Sequence, residues 1–294
     1  MSVIKKIGKM MKHINEYLGF ASQWNDVPLK SGYDFIDDEL GGYHPGELMT
    51  ICGVENSGKT AFIISQIDRL AVEQKIPTIV GIGLMDVPLF MASMIAYHYD
   101  IATNNLWGLW DDPGYQDDIN EYKSMLKEAP LYVLDNYIQD EDWVKNLSER
   151  IAEKGIRMIF LDEWESITIQ ETSIGLRQLA LHTGTTIVKT EVVWNDREVD
   201  GHRVALSDFN VRKYNNASSA SDTVIAFNDY EFMKIFVDER GVNLRGVLGI
   251  EILKKKGVIN KKEYRLFKKR LYFRKLFSGS GYDVPESRPI IEHI

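Results

Sequence analysis

The stretch Gly53-Val54-Glu55-Asn56-Ser57-Gly58-Lys59-Thr60 fits the pattern G-x-x-x-x-G-K-[ST] of a phosphate-binding loop. Its flanks predict the structure that such a loop needs, because Leu48 to Cys52 reads as a buried strand and Ala61 to Ile67 as a helix. In that arrangement the N–H groups at the helix N-terminus face an anion. The alternative is an ordinary glycine-rich turn, which the agreement of strand, loop and helix disfavours. The stretch therefore predicts nucleotide binding.

The loop also supplies the expected contacts to ATP and its metal ion. The glycines let the backbone wrap a phosphate without a clash at Cβ. Lys59 is expected to reach the β- and γ-phosphates, and the Thr60 hydroxyl to join the coordination shell of Mg²⁺. The predicted cofactor-binding residues are Gly53, Glu55, Asn56, Ser57, Gly58, Lys59, Thr60 and Ala61.

A second chemical landmark lies at residues 158–163, where four apolar residues end in Asp162 and Glu163. This is the pattern of a buried parallel strand that delivers a carboxylate to the carboxyl edge of a sheet. Asp162 is expected to hold Mg²⁺ through water, together with Thr60. Acids also end many strands that have no function, but the phosphate-binding loop upstream favours the metal site.

The order of elements predicts the fold class. Apolar strands are expected at 48–52, 77–83, 131–134, 158–161, 185–191 and 222–227, and helices at 61–67, 88–99, 111–127 and 142–154. This alternation predicts an α/β fold whose mostly parallel central sheet is flanked by helices. Residues 231–275 alternate in the manner of antiparallel strands, which predicts a C-terminal antiparallel β extension.

Composition narrows the class of protein. The chain has 294 residues, of which 44% are hydrophobic and 27% charged, and it contains no apolar run long enough to span a bilayer. We expect no membrane partner and no secretory signal. The single cysteine, Cys52, falls in the first apolar strand, which predicts a small core residue in a reducing cytoplasm.

Charge is distributed unevenly along the chain. The net charge of −8 argues against wholesale coating of nucleic acid, yet residues 254–275 hold eleven basic side chains and one acid. That run fits either contact with phosphates or the solvated face of a hairpin, and the sequence leaves both open. The long polar stretch 194–221 is a second candidate for nucleic-acid contact. Its candidate residues are Arg197, Arg203, Arg212 and Lys213.

The segments around the loop resemble a known family. The opening Ser31-Gly32-Tyr33-Asp34-Phe35-Ile36-Asp37, the run Gly41-Gly42-Tyr43-His44-Pro45-Gly46-Glu47-Leu48 and the phosphate-binding loop are together similar to the RecA-like P-loop ATPase domain of DnaB-type replicative helicases. The resemblance covers about residues 30–275. It implies ATP and Mg²⁺ as cofactors, binding to single-stranded DNA, self-association as a hexameric ring or filament, and contact with replication proteins.

Several catalytic positions depart from the family pattern. The glutamate that the family has after the second strand is missing, which leaves Asp86 as a shorter substitute and Glu163 as the other candidate base. Glu191 stands where the family has a glutamine sensor, which changes the charge and the donor capacity beside the γ-phosphate. Lys254 and Lys256 fall where the family places a lysine and an arginine that act on the adjacent subunit. A lysine there presents a point charge rather than a planar fork.

These observations divide the chain into three segments and leave three hypotheses for its function. We expect a helical arm and linker at 1–30, the ATPase domain at 31–275 and a tail at 276–294. The leading hypothesis is a cytoplasmic helicase or translocase. The second is a hydrolysis-impaired ATP-binding regulatory or loader module of a phage or mobile-element replication complex. The third is a RecA-like recombination or clock-type ATPase.

Overall fold

The computed structural model describes residues 27–83, 85–99, 101, 106, 112–134, 143–163, 169–193, 198–199, 202–203, 220–255, 262–267 and 277–278. Its strands are β1 (Leu48–Gly53), β2 (Thr78–Ile82), β3 (Leu131–Leu134), β4 (Met158–Asp162), β5 (Thr186–Val192), β6 (Glu198–Val199), β7 (His202–Arg203), β8 (Thr223–Asp229), β9 (Val247–Lys255), β10 (Lys262–Phe267) and β11 (Phe277–Ser278). Its helices are α1 (Asp34–Asp37), α2 (Lys59–Ile67), α3 (Val87–His98), α4 (Pro113–Glu128), α5 (Trp143–Lys154) and α6 (Ile169–Thr183), with a π-helical turn at Asp68–Glu73.

The main sheet confirms the predicted fold class. Within the described ranges its strand order is β11-β10-β9-β8-β1-β5-β4-β2-β3. The neighbours from β8 to β3 pair in parallel, and β9, β10 and β11 add to the β8 edge as antiparallel strands. Every residue of β1, β2, β4 and β8 is buried. Strands covered on both faces read as continuous apolar runs, which explains why the sequence located them.

Helices cover both faces of the sheet. Phe62 of α2 and Phe90 of α3 belong to one buried cluster with Phe160 of β4, and α4 joins the same face. Leu179 of α6 lies in a second cluster with Ile159, and α5 contributes to that face. Alternate residues of β4 therefore point to opposite helical layers, as the period of two in a strand requires.

Polar contacts hold the residues before β1 together and join them to α2. The Asp37 carboxylate accepts hydrogen bonds from the backbone N–H groups of Ser31 (2.7 Å) and Gly32 (2.8 Å). The Gln66 side chain donates to the Ser31 carbonyl (3.2 Å) and accepts from the Tyr43 hydroxyl (2.9 Å). These contacts give a structural reason for the polar and glycine residues of the opening segment.

One element, helix α6, differs from the expectations. The sequence pattern does not predict helix α6, because Gly175 is a poor helix former and the polar residues 170–173 obscure its apolar face. Packing of Leu176 and Leu179 against the sheet outweighs that propensity. At the antiparallel edge of the sheet, β11 pairs with β10 as far as Ser278. Residues 1–26 of the predicted arm and linker lie outside the described residues. Leu29, near the end of that segment, forms an antiparallel β-bridge with Tyr43.

Cys52 is a fully buried free thiol, which confirms its predicted place in the core. Burial raises the pKa of the thiol far above its usual range, and the nearby Glu191 carboxylate raises it further. Among the helices in the described ranges, none combines the length and hydropathy that crossing a membrane requires.

We predict that Gln66→Ala lowers the free energy of unfolding by about 2 kcal/mol, because it leaves the Tyr43 hydroxyl and the Ser31 carbonyl buried without this partner. Urea denaturation of the purified protein measures the change. The exposed Gln74→Ala is the control and should stay within roughly 0.5 kcal/mol of the parent protein. Equal stabilities of the two variants would contradict a stabilising role for the hydrogen bonds of Gln66.

Candidate functional site

The phosphate-binding loop joins β1 to α2 at the carboxyl edge of the sheet. Gly58, at the N-cap of α2, has φ of 90°, and Asn56 has φ of 59°. A side chain at Gly58 would be strained, which explains the second glycine of the motif. A Cβ at Gly53 would meet the Ser57 hydroxyl, so the first glycine leaves room for that side chain.

The loop has the features of an anion site. No side chain caps the N-terminus of α2, so its first N–H groups are not satisfied by a capping residue. The buried Ser57 Oγ has no hydrogen-bond partner among the described residues. Unsatisfied donors around a glycine-rich turn match the needs of phosphate oxygens. The residues of the loop therefore fit the triphosphate of a nucleotide.

Lys59 is buried at the base of the loop, where its side chain is 2% exposed. Its ammonium donates to the carbonyls of Gly53 (3.3 Å) and Val54 (2.9 Å). It also forms an ion pair with Glu163, whose Oε1 lies 3.1 Å from Nζ. The Lys59–Glu163 ion pair connects the loop to the end of β4.

Asp162 ends β4 beside the first turn of α2. Its Oδ1 accepts a hydrogen bond from the Thr190 hydroxyl at 2.8 Å, and the Thr60 hydroxyl is a second hydrogen-bond partner. Burial raises the pKa of Asp162, and the hydrogen bonds from Thr60 and Thr190 oppose that shift. A carboxylate beside a hydroxyl supplies the oxygen ligands that Mg²⁺ prefers, so Asp162 and Thr60 fit this ion.

Glu163 has an unusual backbone conformation. Its φ is 47°, in the left-handed region that few residues with a Cβ adopt. Its N–H donates to the Thr190 hydroxyl oxygen at 2.8 Å, and the preceding carbonyl, that of Asp162, accepts from the N–H of Gly83 at 2.9 Å. Such strain at the end of a strand is typical of functional sites. It turns the Glu163 side chain toward Lys59.

Asp86 makes a helix-capping contact that the sequence hypothesis did not include. It is the N-cap of α3, and its Oδ1 accepts a hydrogen bond from the N–H of Leu89 at 2.8 Å. A carboxylate at this position satisfies an unpaired donor of the helix and interacts favourably with its dipole. The structure therefore gives Asp86 a capping contact, whereas Glu163 contacts the loop lysine directly.

Glu191 lies on β5 but does not point toward Asp162. It forms an ion pair with Lys189, two residues earlier on the same face of the strand, and Lys189 also donates to Ser173 of α6 at 2.7 Å. Thr190, between them, points to the opposite face and reaches Asp162. Burial raises the pKa of Glu191, while Lys189 lowers it.

The remaining candidates are only partly described. Lys254 stands near the end of β9, where its Nζ donates to the carbonyl of Ser221, and the Lys255 side chain donates to the carbonyl of Glu39. Arg203 belongs to the short β6–β7 ribbon, and only its backbone is described. Four candidates lie outside the described residues: Arg197, Arg212, Lys213 and Lys256.

Sequence reasoning missed two residues that the structure brings to the site. Thr190 bridges the Asp162 carboxylate and the Glu163 backbone, and Lys189 neutralises Glu191. The strand period of two was the available signal, because neighbours on β5 must face opposite layers. Applied at Glu191, it indicates that Thr190 and Glu191 face opposite sides of the sheet.

Sequence comparisons relate this chain to known proteins. A model of the family "DnaB-like helicase C terminal domain" matches residues 28–216. The "Replicative DNA helicase DnaB" of Treponema pallidum (strain Nichols) is 26% identical over 145 residues. That match covers 49% of this chain and 33% of the relative, so the chain spans about a third of the curated relative's length.

Two solved structures share the fold at low identity. One is described as "The Structure Of A DnaB-Like Replicative Helicase And Its Interactions With Primase" and has a TM-score of 0.69 at 14% identity, covering 93% of this chain and 67% of that chain. The other is described as an ATPase domain and has a TM-score of 0.69 at 13% identity, covering 95% of this chain and all of that chain. The family model matches more than half of the residues of this chain, so the chain belongs to the DnaB-like helicase C-terminal domain family.

Proposed function

We propose that this chain is a DnaB-like helicase or translocase ATPase that hydrolyses Mg-ATP and acts on single-stranded DNA in replication. The observation that carries the proposal is the convergence of Lys59, Thr60 and Asp162 at one edge of the sheet, in a chain of this family. The loop N–H groups and Lys59 bind the phosphates, and Thr60 and Asp162 hold Mg²⁺. Bound there, Mg²⁺ neutralises charge that develops on the phosphate oxygens.

Glu163 is the candidate that orients the attacking water. Its carboxylate is already beside Lys59 at the base of the loop, while the Asp86 carboxylate is engaged at the N-terminus of α3. A carboxylate adjacent to the metal-binding aspartate can accept a proton from water positioned in line with the γ-phosphate. This assignment makes Glu163 the catalytic residue and leaves Asp86 a structural one.

The family resemblance extends the proposal to assembly and partners. Lys254 and Lys256 act on the nucleotide of a neighbouring subunit in a hexameric ring or filament. Arg197, Arg203, Arg212 and Lys213 contact single-stranded DNA, whose phosphates attract clustered basic side chains. One structural relative is described together with primase, which supports replication proteins as partners of this chain. The proposed place of action is the cytoplasm.

A second candidate function is a hydrolysis-impaired ATP-binding module that regulates or loads a replication complex. The observation that favours it is the Lys189–Glu191 ion pair. Glu191 stands at the sensor position, but its partner Lys189 lies on the α6 side of the sheet, so Glu191 is not aligned with Asp162. Loss of the sensor would slow turnover without preventing ATP binding. Measured turnover separates the two functions.

We predict that purified protein hydrolyses ATP faster when single-stranded DNA is added. We also predict that Lys59→Ala abolishes ATP hydrolysis both without and with DNA. Removal of the ammonium leaves the β- and γ-phosphates without their buried counter-charge. Phosphate release assays with and without DNA provide the measurement. The exposed Lys127→Ala is the charge-matched control and should retain turnover. ATP binding with negligible turnover, with or without DNA, would favour the regulatory module instead.

We also predict that Thr190→Val lowers turnover roughly 10- to 100-fold and raises the Mg²⁺ concentration needed for half-maximal rate, because the hydroxyl that orients Asp162 and Glu163 is lost. Thr190→Ser keeps that hydroxyl and should restore most of the rate. Magnesium titrations of the three proteins make the comparison. A Val variant with unchanged magnesium dependence would show that Thr190 has no positioning role.

A further inference from the structure

Glu163 pairs with the Lys59 ammonium, the group to which the proposed function assigns phosphate binding. We propose that Glu163 is a built-in competitor of the nucleotide: its carboxylate holds the Lys59 ammonium until a phosphate displaces it, and that displacement frees the carboxylate to orient water. The inference rests on the proposed function, since it concerns nucleotide binding at the same loop. It assigns to Glu163 an effect on affinity in addition to its role in turnover.

The hydrogen-bonding capacity of Lys59 makes the competition unavoidable. An ammonium has three N–H donors, and Lys59 Nζ has three acceptors within 3.3 Å: two loop carbonyls and Glu163 Oε1. The carbonyls of Gly53 and Val54 belong to the loop itself and remain beside Lys59. Of the three acceptors, only the Glu163 carboxylate stands on a side chain that can rotate away.

Burial makes this contact strong enough to matter. The side chains of Lys59 and Glu163 are 2% and 18% exposed, so water screens the pair only from the Glu163 side. A buried ammonium that lost its carboxylate without another anion would be costly. A phosphate supplies that anion and more negative charge, which is why it can take the place of Glu163.

The backbone of Glu163 confines the displacement to its side chain. The N–H of Glu163 is bonded to Thr190, and the carbonyl before it is bonded to Gly83. Thr190 simultaneously holds Asp162, so the metal-binding carboxylate stays in place while Glu163 changes rotamer. The release of Glu163 therefore needs no movement of β4.

The proposal separates binding from turnover. Glu163→Gln keeps the shape of the side chain and removes its charge, so it weakens the contact with Lys59 in the free protein. We expect it to bind a fluorescent ADP analogue about 10-fold more tightly than the parent, equivalent to about 1.4 kcal/mol. The same variant should lose most ATP turnover. A substitution that merely damaged the fold would weaken both properties.

The test is a double-mutant cycle on equilibrium binding of the fluorescent ADP analogue, without and with Mg²⁺. The four proteins are the parent, Glu163→Gln, Lys59→Met and the double variant. In the Lys59→Met background, Glu163→Gln should change affinity by less than about 2-fold, because the competed ammonium is absent. Glu55→Gln, which removes a charge from an exposed part of the same loop, measures general repulsion and should tighten binding less than Glu163→Gln does.

The outcomes distinguish the inference from the proposed function. Equal or weaker binding by Glu163→Gln, or equal tightening with and without Lys59, would overturn the competition while leaving nucleotide binding intact. A parent protein that binds neither ADP nor ATP would overturn the proposed function and the inference with it. If Glu163→Gln does not fold, Glu163→Asp keeps the charge with a shorter reach and should also tighten binding. No tightening by that variant would count against the proposal.

Discussion

The parallel pairing of β4, β5 and β1 is the constraint on which the site depends. In this register Cys52 lies beside Glu191 and Gly53 beside Val192, while Leu161 lies beside Lys189. Strands that run in the same direction end at the same edge, so the loop after β1 and the two acids at the end of β4 meet there without long connections. A shift of one residue in this pairing would reverse the faces and separate Thr190 from Asp162.

The same alternation divides the charged groups of this edge between two helical layers. Lys59 with Glu163 lies on the side of α2, and Lys189 with Glu191 lies on the side of α6. Both lysines are nearly buried, and each has a carboxylate partner. Buried ion pairs contribute little net stability, but removing one partner is strongly destabilising, so each pair restricts what can replace its members.

Much of this fold could be predicted from the sequence, because buried parallel strands appear in it as continuous apolar runs. The phosphate-binding loop could also be located, because its sequence contains residues that tolerate unusual backbone angles. Helix α6 could not, since its formation depends on packing against the sheet rather than on local propensity. For the candidate site, the motifs specify where Lys59 and Asp162 stand along the chain, and the structure places both at the carboxyl edge of the sheet. The cap at Asp86 and the partner of Glu191 depend on contacts across the fold, which spacing along the chain does not reveal.

The burial of Cys52 has a practical consequence for spectroscopy. Cys52 is the single cysteine of the sequence, and its thiol is inaccessible and stays protonated at neutral pH. Thiolate is the reactive form, so maleimide dyes and spin labels will react slowly with the native chain. A cysteine introduced on the surface can therefore be labelled selectively without first replacing the native one. The strand beside the phosphate-binding loop thus keeps its natural residue while distances elsewhere are measured.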